Sequence, residues 1–172
     1  MTRFLLLFLL MLGLVIIQVS FLSSWPLPVK ALNLVLTLVI FFALTMPYSR
    51  ALALTFSSGL LLEFYSINFF GLVSLSLVLT VILVHFLFEH FFTNRSLYAF
   101  IGLVLIGTLS YNLIFYAGNF LVHFFQPREW AHIFYPVYFF WQLALNSLIF
   151  VILFFVFQLT NRRLASHTTF FK

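Results

Sequence analysis

The sequence predicts an all-α fold, a polytopic transmembrane bundle of about six spanning helices with both termini cytoplasmic. Three observations predict it. Of 172 residues, 65% are hydrophobic and only 6% charged, too few ionic groups to clothe a soluble domain of this size. The apolar residues fall into runs near the roughly 20-residue length that crosses a hydrocarbon core, separated by short breaks rich in Pro, Ser, Asn and Arg. The basic residues gather on one side of the segmentation that results.

The first run extends from Phe4 to Leu22 and stops at Ser23-Ser24-Trp25-Pro26-Leu27-Pro28, where two prolines break a helix and Trp25 suits a membrane interface. Met-Thr-Arg ahead of it imitates a signal peptide. The run is long, however, and Ser20 to Ser24 offers no convincing small-residue cleavage site, so a retained first helix is expected. The second helix is expected over Ala31–Met46 and the third over Ala51–Ser66, a tight hairpin about Pro47-Tyr48-Ser49-Arg50 whose arms are short for full spans. The fourth covers Phe70–Phe92 and is closed by Thr93-Asn94-Arg95-Ser96. The fifth, Leu97–Phe124, is long enough to tilt. After the polar loop Gln126 to His132 comes a sixth helix over Val137–Leu159, with a short tail from Asn161. Nothing between the runs is large enough for a soluble domain, so residues 1–172 read as one membrane domain. Leu34-Val35-Leu36-Thr37 recurs as Leu77-Val78-Leu79-Thr80, a hint of repetition that so biased a composition produces by chance.

Six spans put Arg3, Arg50, Arg95, Arg162, Arg163 and Lys172 on the side of the termini, with Lys30 and Arg128 opposite. The positive-inside rule makes the crowded side cytoplasmic. A net charge of +5 with pI near 9.9 suggests nucleic acid in a soluble protein, but these cations flank apolar runs and set topology, so membrane lipid is the expected partner and nucleic acid is not. The chain has no cysteine, which excludes disulfides, thiolate nucleophiles and Cys-ligated metals.

Ionisable and amide side chains within the apolar runs are the candidates for function. Glu63 comes first, because an intramembrane carboxyl needs a partner. At helical rise it stands about 18 Å above Ala51, and Asn112 and Asn146 come out at similar or somewhat greater heights. An interior polar cluster of Glu63, Asn112 and Asn146 is one reading, and a hydrated Glu63 near the outer headgroups is the other. His85 and Glu89, at i and i+4 with His90 adjacent, have the spacing to share a metal ion or relay a proton, or to form a plain interfacial pair. Two or three such ligands are few for a metal, and no metal or other cofactor is expected. His123, His132 and His167 fall at helix ends or in loops and read as interface residues. Ser57, Ser58, Gly59, Ser74, Ser76 and Thr80 suit close helix approach and interhelical hydrogen bonds. Gly102 and Gly107, five apart, do not make the small-xxx-small dimer motif. Phosphate-binding glycine loops, HExxH and GxSxG are absent, as is Asp altogether, so catalysis is not expected.

Pro47-Tyr48-Ser49-Arg50-Ala51, followed by the stretch from Phe56 to Leu72, resembles the rod-shape-determining protein MreD family. Gly59, Leu60 and Glu63 match that family's Gly-Leu-x-x-Asp/Glu helix, with Glu63 where Asp is commoner, and Phe70-Gly71-Leu72 matches the step into its next helix. The resemblance covers about twenty-five residues by motif and most of the chain by architecture. It implies a multi-pass protein of the bacterial cytoplasmic (inner) membrane. Its role would be a non-enzymatic scaffold of the cell-elongation, peptidoglycan-synthesising machinery, partnered by an MreC-like protein. A second reading is the substrate-binding membrane subunit of an energy-coupling-factor type vitamin transporter, with Gln126 to Tyr135, Glu63, Asn112 and Asn146 around a small ligand. A membrane enzyme using Glu63 or the His85/Glu89 pair is a third, without a supporting motif.

Overall fold

The computed structural model describes residues 2–66, 69–91, 97–125 and 136–168. Their regular structure is helical throughout: α1 (Thr2–Ser20), α2 (Leu34–Thr45), α3 (Tyr48–Glu63), α4 (Leu72–His90), α5 (Leu97–Phe125) and α6 (Pro136–Thr168). Four helical stretches are long and apolar enough to cross a membrane, over Leu6–Ser24, Leu72–His90, Leu97–Val122 and Val137–Leu159. With 12 and 16 residues, α2 and α3 fall short of that length, as their sequences predict.

Several boundaries differ from expectation for local reasons. α1 ends at Ser20, and the chain from Leu22 to Asn33 is spent on two 3-10 turns, Leu22–Ser24 and Val29–Ala31, and on a cap. α2 therefore starts at Leu34 instead of Ala31, with Asn33 as its N-cap. α3 starts at Tyr48 because Pro47, fixed near φ −57°, takes the extended N-cap conformation and its carbonyl accepts from the Arg50 and Ala51 amides at 3.0 and 3.1 Å. It ends at Glu63 rather than Ser66. α6 runs on to Thr168, through the stretch expected to be a non-helical tail. Arg95, Arg128, His132, Lys172 and the 126–135 loop proposed above as part of a ligand site lie outside the described residues, as do the side chains of Arg3, His123, Arg162, Arg163 and His167.

The short helix α2 is the axis of the bundle. Every residue from Val35 to Leu44 is buried, and α2 packs against each of the other five helices. Around it the packing runs from α1 to α3, α4, α5 and α6 in turn, and among the described residues α1 and α6 do not touch each other. α2 is apolar on all sides because it has no outer face, the pattern expected of a fully enclosed helix. The aromatic excess is used at its Thr45 end, where Phe41 meets Phe150 and Phe157 edge-on at 5.8 and 5.6 Å and Phe100 stacks with Phe88 and lies against Phe154.

Glycines stand where helices approach most closely. A Cβ on Gly59 would stand 2.7 Å from the Ser74 Cα, so α3 and α4 approach backbone to backbone there. One on Gly107 would stand 2.7 Å from the Ile40 side chain, where α5 closes on α2. Gly102 meets nothing within 4 Å. Gly59→Ala should lower the stability of the detergent-solubilised protein by about 1–3 kcal/mol, the usual cost of overpacking, read as thermal or denaturant unfolding. Gly102→Ala should leave it unchanged or slightly raised.

Candidate functional site

A helix that begins inside a packed bundle exposes amide groups that no water reaches, and α2 is such a helix. The sequence answers with amide side chains from α1, from α6 and from the residue that precedes α2. Asn33 turns its Oδ1 back onto its own helix and accepts from the Leu36 amide at 3.0 Å. The Oε1 of Gln18, near the end of α1, accepts from the Val35 amide at 2.9 Å, and its Nε2 donates to Asn33 Oδ1 at 3.2 Å. From α6, Asn146 Oδ1 accepts from the Asn33 backbone amide at 3.1 Å. The side chain of Tyr111 on α5, also buried, lies against Asn33.

Behind this cap, α5 and α6 are joined by two i, i+4 pairs facing each other, Thr108 with Asn112 and Gln142 with Asn146. Asn112 Nδ2 donates to Gln142 Oε1 at 3.0 Å and to the Thr108 carbonyl at 2.7 Å. Asn146 Nδ2 donates to Thr108 Oγ1 at 3.4 Å. Thr108, Asn112, Gln142 and Asn146 are all buried. One polar core therefore ties α1, α2, α5 and α6 together at the start of α2.

Glu63 is hydrogen-bonded elsewhere. It is buried at 4% exposure, which removes the hydrated reading, but its hydrogen bonds go to α4 and not to Asn112 or Asn146. Its Oε1 accepts from the Val73 amide at 2.9 Å, and its Oε2 from the Ser74 hydroxyl. The carboxylate thus caps the first turn of α4, where the helix dipole favours negative charge. Gly71 sits at φ +99° immediately before that turn, a left-handed conformation that costs other residues roughly 1–2 kcal/mol. Gly59, one turn below Glu63, admits Ser74. The expected cluster of Glu63, Asn112 and Asn146 is not joined by hydrogen bonds: Asn112 and Asn146 bond within the network at the start of α2, whereas Glu63, the last residue of α3, bonds to the first turn of α4.

The expectation of interhelical hydrogen bonds from the small hydroxylated residues is met only by Ser74. Ser57, Ser58, Ser76 and Thr80 bond to carbonyls three or four residues back in their own helices. They are satisfied locally and leave the helix faces smooth.

At the other end of α2 the partner is His85. Its Nδ1 is 3.2 Å from the Ala43 carbonyl oxygen, one of the acceptors left over at the α2 C-terminus, and its Nε2 is 3.1 Å from Glu89 Oε1. The ring stacks on Tyr48 of α3, centroids 4.7 Å apart. His90 turns away and stacks on Phe86. Among the described residues no group of three His, Cys, Asp or Glu side chains is placed to hold a metal ion.

Sequence reasoning passed over Gln18, Asn33, Thr108, Tyr111 and Gln142. The signals were present: Gln18 is the lone amide in the first apolar run, Asn33 is a favoured N-cap residue, and the pairs 108/112 and 142/146 have helical i, i+4 spacing.

Asn146→Leu should destabilise the folded protein by about 1–3 kcal/mol, the cost of a buried amide left without an acceptor. Asn119→Leu, which removes only a bond to the Phe115 carbonyl in the same helix, should cost far less in the same unfolding measurement. Glu63→Ala should cost more than Glu63→Gln, since the amide retains an acceptor for the Val73 N–H. Equal losses would separate Glu63 from the capping role. Comparison with protein-family models, with curated proteins and with solved structures finds no match, so a functional reading rests on these residues themselves.

Proposed function

We propose that this chain is a multi-pass membrane scaffold without enzymatic activity, similar in role to the MreD family: an inner-membrane component that holds the parts of a bacterial cell-elongation, peptidoglycan-synthesising assembly together. The chain crosses the bilayer about six times, with both termini on the cytoplasmic side. α2 is completed as a crossing by the turns that precede it, because about 18 Å of helix does not span a core of about 30 Å.

The observation that carries the reading is the convergence of the motif residues. Gly59, Glu63 and Gly71, which carry the resemblance, meet at one junction where Gly59 admits Ser74, Glu63 caps α4 and Gly71 turns the chain into it. That is a structural device, and it suits a rigid frame. The interior amides are likewise engaged with each other and with helix ends, while exposed apolar side chains line α1 and α6. Such a frame meets its partners sideways, through helix faces.

Photocrosslinking in native membranes from Leu9 on α1 and from Phe155 on α6, both half exposed, tests this. Capture of an MreC-like bitopic protein or of a peptidoglycan synthase is the expected result. Capture of an ATPase module, or a vitamin that co-purifies in stoichiometric amount, would replace the scaffold by a transporter subunit. Reporter fusions at each terminus check the topology, and activity of a periplasmic reporter at either end would overturn it.

A further inference from the structure

Resting on the multi-pass reading above, we propose that the cytoplasmic leaflet is dented beside α3, with lipid headgroups and water reaching about 10 Å inwards to the α2–α3 turn. The levels at which the helices face one another carry this. Tyr48, the first residue of α3, stacks on His85 of α4, and His85 Nδ1 reaches the Ala43 carbonyl of α2, so the three share one level. Farther along, Gly59 of α3 lies on Ser74 of α4, in the same antiparallel register. Past the level of Tyr48 the neighbours run on. α4 continues from His85 to His90, about 7 Å of helix. On α1, Gln18 reaches the Val35 amide, which sets Leu10 opposite Ala43 and leaves about 12 Å of helix between that level and Thr2. On α5, Gly107 meets Ile40 and Val84, and from there to Leu97 is about 15 Å. α1 and α4 both pack on α3, so the start of α3 is the recessed floor of a notch between them.

That floor is polar. Tyr48, Ser49 and Arg50 are exposed, as are Glu89 and His90 on the α4 wall. Pro47 gives α3 no side-chain cap, whereas the starts of α2 and α4 are capped from within the bundle by Gln18, Asn33 and Glu63. An arginine stretches towards a distant headgroup, but the leading amides of a helix do not, and in a flat leaflet they would face hydrocarbon. A short apolar segment instead draws the bilayer surface down to itself. From Arg50 to Glu63, α3 offers about 20 Å of helix to a core of about 30 Å, while α6 offers about 33 Å from Val137 to Leu159. The dent is therefore confined to one side of the bundle, and because the outer end of α3 is level with the start of α4, it falls in the leaflet that faces the α2–α3 turn.

The chain has no cysteine, so single spin labels at Ser49, on the floor of the notch, and at Ile152 on α6 report depth without background. Ile152 is 53% exposed and stands at the level of Ala43, since Phe41 meets Phe150 and α2 and α6 run in the same direction. The full chain is placed in nanodiscs of dioleoyl phosphatidylethanolamine and phosphatidylglycerol. Collision of each label with oxygen, which concentrates in hydrocarbon, and with a water-soluble nickel chelate gives its depth. Ser49 should read about 10 Å nearer to water than Ile152. Equal depths overturn the proposal. So does a Ser49 label screened from both reagents, since a protein surface and not lipid would then fill the notch. An Ile152 label that reads as fully aqueous would remove the crossing by α6, and with it the multi-pass reading on which the dent rests.

Discussion

The bundle depends on starting a helix in its own interior. α2 is enclosed on all sides, and its first amide groups open into a space without water. A buried N–H without an acceptor costs about 1–3 kcal/mol, and three here are taken up by Gln18, Asn33 and Asn146. These acceptors come from α1, the linker and α6, so capping α2 also fixes where those elements stand. Thr108 extends the constraint to α5 by accepting from Asn146, and Asn112 adds a second link between α5 and α6 by donating to Gln142. Removing α2's cap would thus disturb four helices, a reach that no single apolar contact in the core has.

The α3–α4 junction repeats the principle with a charge in place of amides. A carboxylate in an apolar setting is costly unless donors surround it, and the first turn of a helix is a ready supply of them. Glu63 reaches those donors only because α3 and α4 are close, and they are close only because residue 59 lacks a side chain. Three helix ends are therefore met from outside themselves. Glu63 serves α4, Gln18 and Asn146 serve the start of α2, and His85 serves its finish. The hydroxyls of Ser58, Ser76 and Thr80, folded back onto their own helices, keep the intervening faces dry.

Composition and run length were enough to read the all-helical class, the order of the elements and the four long apolar helices, because an apolar run bounded by prolines and polar residues has few other ways to satisfy its backbone. The polar centres were harder. Placing Glu63 by counting 1.5 Å per residue from Ala51 assumed a third helix that ran on to Ser66 and a bundle of parallel, full-length spans. The chain instead stops α3 at Glu63 itself and turns at Gly71. Asn33 was hidden inside the apolar stretch 31–46, where hydropathy sees one helix and only cap chemistry sees its true start. The pairs Thr108/Asn112 and Gln142/Asn146 needed both helices at once: each alone is an unremarkable i, i+4 spacing, and only their opposition makes a network.

Polar groups buried in pairs add less to stability than their number suggests, since each bond replaces one the unfolded chain also makes, in water or in lipid. Their larger effect is on which arrangement is allowed. Slide α6 against α5, and Asn146 leaves Asn33 and Thr108. Rotate α1, and Val35 loses its acceptor. Apolar surfaces of Leu, Val and Phe would tolerate either shift at small cost, because one methyl packs much like another in a bundle with 27 Phe among 172 residues. The amides and Glu63 turn a loosely specified apolar bundle into one with a single register, because each of their bonds joins one named residue to another and no shifted arrangement keeps them all.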